Sequence, residues 1–202
     1  MRDEIRIVDR VWTDPDEVRA WALAMPFARS GNYPGARTAP LEGSASAMMR
    51  SVLENALDQS ITYWPGEENT TFQLCLDGSR TWVHHDSTDW AAVLFLTPPE
   101  VYRAAERHHG QRHGIGFFRR REDRGGLGDD SDWIFDGAGN GAPDHNEDCG
   151  AESDWKPVIE VEGLYNRLVA FRSSYYHRSL LPGFGTGPDD GRLTQVFFWG
   201  VR

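Results

Sequence analysis

Residues 81–90 read TWVHHDSTDW, placing two histidines and two aspartates in a run flanked by tryptophan and valine, where an apolar strand would bury more easily. Burying such groups is unfavourable unless each is hydrogen-bonded, paired or bound to a metal. On an extended strand residues two apart share a face, so His84 and Asp86 project together while His85 points away. One imidazole and one carboxylate then face a single cation. A third ligand must come from elsewhere in the chain, and His177, ending the expected strand SSYYHRSL, is the candidate. Two histidines and one carboxylate on one face of a metal leave three coordination positions open. That arrangement suits non-haem Fe(II) handling O2 together with a chelating cosubstrate. Arg192 and Thr194 in RLTQVFFWGV are also two apart, so a guanidinium and a hydroxyl face the same way and can hold a distal carboxylate.

The elements that must position these residues follow from composition and periodicity. With 21 Gly, 11 Pro and 8 Trp among many short apolar runs, the chain suits a mainly β fold better than a helical bundle. EIRIVDRVW reads as extended. Thr13, Asp14 and Pro15 then signal a cap and a first helical turn, predicting a helix over 14–25. A second helix is predicted over 44–57, with Met48, Met49, Val52, Leu53, Ala56 and Leu57 on roughly one face. SGNYPGART between them is turn chemistry. From Thr70 the period becomes strand-like: TTFQLCL, TWVHHD, WAAVLFL, GIGFFRRR, KPVIEVEG, NRLVAFR, SSYYHRSL and RLTQVFFWGV. Eight β segments after two helices predict a jelly roll with buttressing helices, one domain spanning 1–202, with helical support in 1–69 and the β core in 70–202. Residues 98–113 read as a basic, partly helical connection with a solvated face, and His108, His109, His113 and His145 as solvent histidines.

In this order, His84-His85-Asp86, His177 and Arg192-Leu193-Thr194 resemble the Fe(II)/2-oxoglutarate-dependent dioxygenases, over about Thr70 to Val201. The stretches DWAAVLFLTPP and NRLVAFRSSYYHRSLLPGFG look like the prolyl-hydroxylase-like branch. The resemblance implies a double-stranded β-helix of cupin-like type. It makes His84, Asp86 and His177 the catalytic metal ligands, with 2-oxoglutarate gripped by Arg192 and Thr194. The implied reaction is hydroxylation of an unactivated C–H of an amino-acid or peptidyl substrate, since Asp86 stands where related halogenases carry a small residue. Phe95 departs from the pattern, falling where several relatives place a tyrosine whose hydroxyl touches the cosubstrate. Two alternatives stay open: a cupin-like metalloenzyme that uses no 2-oxoglutarate, and a non-catalytic jelly-roll binding module.

Charge narrows the partners. Against 21 basic residues stand 31 acidic ones, a formal charge of −10, which argues against nucleic acid and anionic membrane surfaces. The longest apolar run, 90–96, is too short to span a bilayer and the amino terminus is too charged for a secretory signal, so a cytoplasmic location is expected. Cys75 and Cys149 make neither a disulfide framework nor a zinc pattern and read as free thiols. Residues 125–155 hold nine Asp or Glu and no Lys or Arg, without the alternating acids of an EF-hand loop. Such an acidic insertion beside a site mouth favours a cationic small-molecule or peptide substrate.

Overall fold

The computed structural model describes residues 5–120 and 152–201. In chain order they form β1 (Ile5–Asp9), α1 (Pro15–Ala24), β2 (Ala36–Arg37), α2 (Gly43–Leu57), β3 (Phe72–Cys75), β4 (Trp90–Phe95) and α3 (Pro99–His109). There follow β5 (Gly114–Arg120), β6 (Trp155–Glu162), β7 (Arg167–Arg172), β8 (His177–Ser179) and β9 (Arg192–Trp199). The fold is mainly β. One antiparallel sheet has the order β1-β7-β4-β9-β3-β2 and the other the order β6-β5-β8. His84 extends the smaller sheet by a single antiparallel bridge to His177. Four core strands per sheet, counting that bridge, give the double-stranded β-helix expected from the sequence, with β1 and β2 added at the two ends of the larger sheet.

The larger sheet is buried on both faces, which is why its strands read as nearly continuous apolar runs. Along β4, Trp90, Ala92 and Leu94 join Leu168, Ala170, Phe197 and Trp199 in a core shared with Val18 and Ala22 of α1 and Met49, Leu53 and Leu57 of α2. Ala91 and Phe95 alternate to the opposite face, meeting Ile115, Phe117, Val161, Val169 and Phe171 between the sheets. The same alternation along β9 sends Leu193, Phe197 and Trp199 toward the helices and Arg192, Thr194, Val196 and Phe198 into the barrel.

Both N-terminal helices form where the sequence predicts, α1 with its expected cap and α2 without a side-chain cap. Asp14 accepts a hydrogen bond from the Glu17 amide at 3.0 Å, with Pro15 opening α1. The apolar stripe of α2 is narrower than its composition, since Met49, Leu53 and Leu57 are buried four apart but Met48 is 44% exposed. Among the described residues, no helix is long and apolar enough to cross a membrane.

Two expected strands are shortened. TWVHHD is not a strand but a single bridge at His84, and SSYYHRSL yields only His177–Ser179, so His177 begins its strand rather than ending it. The cause is a turn in the partner: the Tyr175 amide bonds back to the Arg172 carbonyl at 3.0 Å, and the Phe118 amide takes the Tyr176 carbonyl at 2.8 Å. Beyond His84, the Asp86 amide therefore reaches across to the Ser173 carbonyl at 2.8 Å instead of continuing a ladder.

Leu53, 1% exposed between α2 and the sheet, tests the buttress. Leu53→Ala is expected to destabilise the protein by about 2–5 kcal/mol, the range for truncating a buried leucine. The measurement is the urea midpoint at unchanged m value.

Candidate metal centre

His177 lies opposite Phe117 of β5 on one side and His84 on the other. Residues directly opposed in antiparallel strands share a face, and Phe117 faces the core between the sheets, so both imidazoles enter the barrel. The two histidines exchange both backbone hydrogen bonds, 3.0 Å from the His84 amide and 2.8 Å from the His177 amide. Their ring centroids are 4.4 Å apart. Asp86, two residues along, brings its Oδ2 to 3.5 Å from His177 Nε2. Each of the three offers a ligand atom, and these atoms all lie within 4.8 Å of one another. Two histidines and a carboxylate thus converge from two chain segments.

The imidazoles are held in one tautomer. His84 Nδ1–H donates to the Trp82 carbonyl at 3.1 Å, and His177 Nδ1–H to the Tyr175 carbonyl at 2.8 Å. A carbonyl oxygen only accepts, so Nδ1 carries the proton and Nε2 the lone pair, the orienting contact typical of metal-binding histidines. Burial pushes the His177 pKa down to about 3, and the neighbouring His84 adds to the effect while Asp86 opposes it. The rings of Phe171 and Phe117 stand 4.5 and 6.5 Å from the His177 ring and wall it from solvent. A neutral imidazole in a dry pocket is a ready ligand. His85 is outside the group, its ring edge-on to Tyr176 at 5.5 Å.

Arg192 and Thr194 face the same interior from β9. Arg192 is 6% and Thr194 5% exposed. Arg192 Nη1 donates to the Ser179 hydroxyl, while its Nε and Nη2 are buried with no hydrogen-bond partner among the described residues. A buried guanidinium with unused donors is costly, and its planar fork matches a carboxylate. The donor set therefore fits an anion beside a cation site.

Sequence reasoning missed four contributors. Tyr102, on a helix read as a solvated face, is fully buried, and its pKa is pushed up to about 12 by burial while the Thr97 hydroxyl and the Arg192 charge oppose the rise. A phenol from α3 thus lies within electrostatic reach of the guanidinium, in a barrel where Phe95 supplies none. Tyr102 and Ala105, both buried and three apart in an otherwise polar helix, were the signal. His113, expected in solvent, is 6% exposed, stacked on Tyr102 at 3.9 Å and 2.6 Å from Glu106 through Nδ1. Arg37 and Gln73 also face the interior, from a stretch read only as a turn and from an apolar strand. Cys75 is a free, buried thiol, as expected; Cys149, His145 and all of the acidic segment 125–155 up to residue 151 lie outside the described residues.

No protein-family model matches the chain, and no curated protein matches it. Among solved structures, it is similar to a Pseudomonas putida prolyl-4-hydroxylase at 15% identity, with a TM-score of 0.48 over 99% of this chain and 94% of that one. A likeness so distant assigns no residue a role, and the chemistry of the centre rests on its own geometry.

The tautomers and burial are open to measurement. In the metal-free protein at neutral pH, 15N NMR is expected to show His84 and His177 as Nδ1–H imidazoles. Because the folded pKa of His177 lies below its ordinary 6.5, the unfolded chain binds the extra proton first. Stability from keeping it neutral is full above pH 6.5 and declines as pH falls toward about 3. A His177 resonance titrating near 6.5 in the folded protein would contradict its burial.

Proposed function

We propose that this protein is a non-haem Fe(II)- and 2-oxoglutarate-dependent oxygenase that hydroxylates an unactivated C–H of an amino-acid or peptidyl substrate. The observation that carries the reading is Arg192: a buried cation with two nitrogens unused among the described residues, facing the same barrel interior as the His84, Asp86 and His177 donors. Fe(II) with 2-oxoglutarate supplies activation of O2 through oxidative decarboxylation of the cosubstrate to succinate and CO2, coupled to hydroxylation of a C–H bond.

The chain's own residues do the rest. His84, Asp86 and His177 would hold the metal through two neutral nitrogens and one carboxylate, leaving three positions for exogenous ligands. The Trp82 and Tyr175 carbonyls keep both Nε2 lone pairs aimed inward. Arg192 and Thr194 would grip the distal carboxylate of the cosubstrate by charge-assisted hydrogen bonds. Phe117, Phe171 and Phe95 exclude water from the reacting region. Asp86 occupies the carboxylate position itself, which supports hydroxylation over a chemistry that needs a halide ligand there. A metalloenzyme without 2-oxoglutarate would leave Arg192 as an uncompensated buried charge, and this weighs against the cupin-like alternative.

Anaerobic addition of Fe(II) and 2-oxoglutarate is expected to give the weak visible charge-transfer band of a chelated 2-oxo acid, and His84→Ala or Asp86→Ala to abolish it. Arg192→Ala should keep the metal while 2-oxoglutarate affinity falls by a cost of about 2–5 kcal/mol, roughly 30-fold to several-thousand-fold. An affinity unchanged by Arg192→Ala in a titration removes the assigned role.

A further inference from the structure

We propose that Arg37 anchors a free carboxylate of the substrate inside the barrel, so that the substrate is an acid rather than a cation. This rests on the oxygenase reading above and adds the class of molecule it acts on.

The position of Arg37 is built by its neighbours. Pairing of β2 with β3, β3 with β9 and β9 with β4 sets Arg37, Gln73, Thr194 and Phe95 in one row across four adjacent strands. Members of such a row share a face, so Arg37 looks into the same interior as Thr194, two strand spacings or roughly 10 Å away. Gly35 lets the preceding turn lie flat on β3: its φ is +69°, and a Cβ there would stand 2.2 Å from the Leu74 carbonyl oxygen. Gln73 clamps both ends of this arrangement, donating from Nε2 to the Pro34 carbonyl at 2.8 Å and accepting at Oε1 from Arg37 Nε at 2.9 Å. The Tyr33 ring supports the guanidinium from 3.8 Å. Burial lowers the Arg37 pKa, opposed by Glu68 and, from the metal centre, by the charge of Asp86.

The charges do not cancel. Arg37 and Arg192 are buried, whereas no described Asp or Glu is. Glu68 is 2.8 Å from Arg29 Nη2 and 3.0 Å from Arg37 Nη1, so one partly exposed carboxylate serves two guanidiniums. Gln73, an uncharged group, orients Arg37 without neutralising it, and Arg37 Nη2 has no hydrogen bond among the described residues. With a divalent metal and a dianionic cosubstrate in place, those two cancel and Asp86 offsets Arg192. One positive charge is left, shared between Arg29 and Arg37, whose two guanidiniums have the single carboxylate of Glu68 between them. Closing the barrel on a guanidinium whose carboxylate partner is shared and whose Nη2 is unbonded among the described residues is unfavourable, and a monoanionic carboxylate relieves it. The expected preference for a cationic substrate rested on residues 125–155, outside the described residues but for the last four; the described interior has the opposite sign.

The test uses the full chain loaded anaerobically with Fe(II) and 2-oxoglutarate, whose visible band is recorded before any probe is added. The probes are N-acetyl amino acids, their α-amides, and the α-amides of N-acetyl-aspartate and N-acetyl-glutamate, with binding read by ligand-observed NMR and by perturbation of the band. Wild type is expected to hold acids more tightly than neutral amides by roughly 10- to 100-fold, the worth of a charge-assisted contact. Arg37→Gln should erase that ratio, Arg37→Lys should keep part of it, and both should bind Fe(II) and 2-oxoglutarate like wild type, which also shows that they fold. Preference for the α-acids or for the side-chain acids identifies which carboxylate is held. Equal binding of acids and amides, no binding of either, or a ratio that survives Arg37→Gln overturns the proposal. So does a loss of 2-oxoglutarate affinity in Arg37→Gln resembling that in Arg192→Ala, which would give Arg37 to the cosubstrate. Absence of the band in wild type overturns the oxygenase reading itself, and the substrate assignment with it.

Discussion

Two backbone hydrogen bonds between His84 and His177 are the constraint on which the centre depends. They oppose the two residues directly, and that opposition alone sends both imidazoles to one face. A slip of one residue in either segment would exchange His84 for His85 and turn the site inside out. The bridge is short because its partner strand turns away at 173–176, yet the same turn is useful: it presents the Ser173 carbonyl to the Asp86 amide and the Tyr175 carbonyl to His177 Nδ1. A longer, regular ladder would place Asp86 by strand geometry alone. Here the carboxylate is tied at its own amide instead.

The polar interior is possible because the opposite face of the same sheet is so apolar. Each inward Arg37, Gln73, Thr194 or Arg192 alternates along its strand with a residue committed to the helix-side core, such as Phe72, Leu193 or Phe197. At the far end of β4 and β9, Trp90 and Trp199 pair in register with their rings stacked 6.0 Å apart at 7°. Arg172 and Arg6 lie over the Trp90 ring at 4.6 and 5.3 Å. Burial of that face at ~25 cal/mol per Å2 of apolar surface is what offsets the desolvation of the polar rows behind it. Helices α1 and α2 matter to chemistry only through this: they keep the sheet's second face dry.

Much of this was legible in the sequence, for a physical reason. Strands report themselves by alternation, and alternation also says which residues share a face; Arg192 with Thr194 needed nothing more, whereas the expected pairing of His84 with Asp86 is reached through the bridge at His84 and the Asp86 amide bond to Ser173 rather than by a strand. Convergence of the two pairs, with His177, on one barrel was implied by the resemblance and not by any local pattern. What stayed hidden depends on pairing rather than periodicity. Arg37 sits on a two-residue strand, too short to alternate, inside a stretch whose Gly and Pro announce a turn. Tyr102 is buried near the start of a helix dominated by charged and polar residues, His113 lies in the loop after it, and the stripe of Tyr102 and Ala105 is easily outvoted by charge. The strand expected around His84 failed because a turn in a distant partner decides how far a ladder runs, and no local pattern encodes that.

The sign of the interior and the sign of the whole protein are separate quantities. A formal charge of −10 belongs to the surface, where ions at physiological strength screen an exposed charge within about 8 Å. It can bias encounter with a partner but hardly selects among molecules already inside a barrel. A buried guanidinium acts at short range through a medium of effective dielectric near 20, where a unit charge at 4 Å is worth about 4 kcal/mol, against about 1 kcal/mol in bulk water. The difference of about 3 kcal/mol corresponds to more than a hundredfold in binding. On the proposed reading, selection follows the few charges that the strand rows carry inward, Arg192 for one anion and Arg37 for another, and an acidic exterior is no obstacle to an acidic substrate.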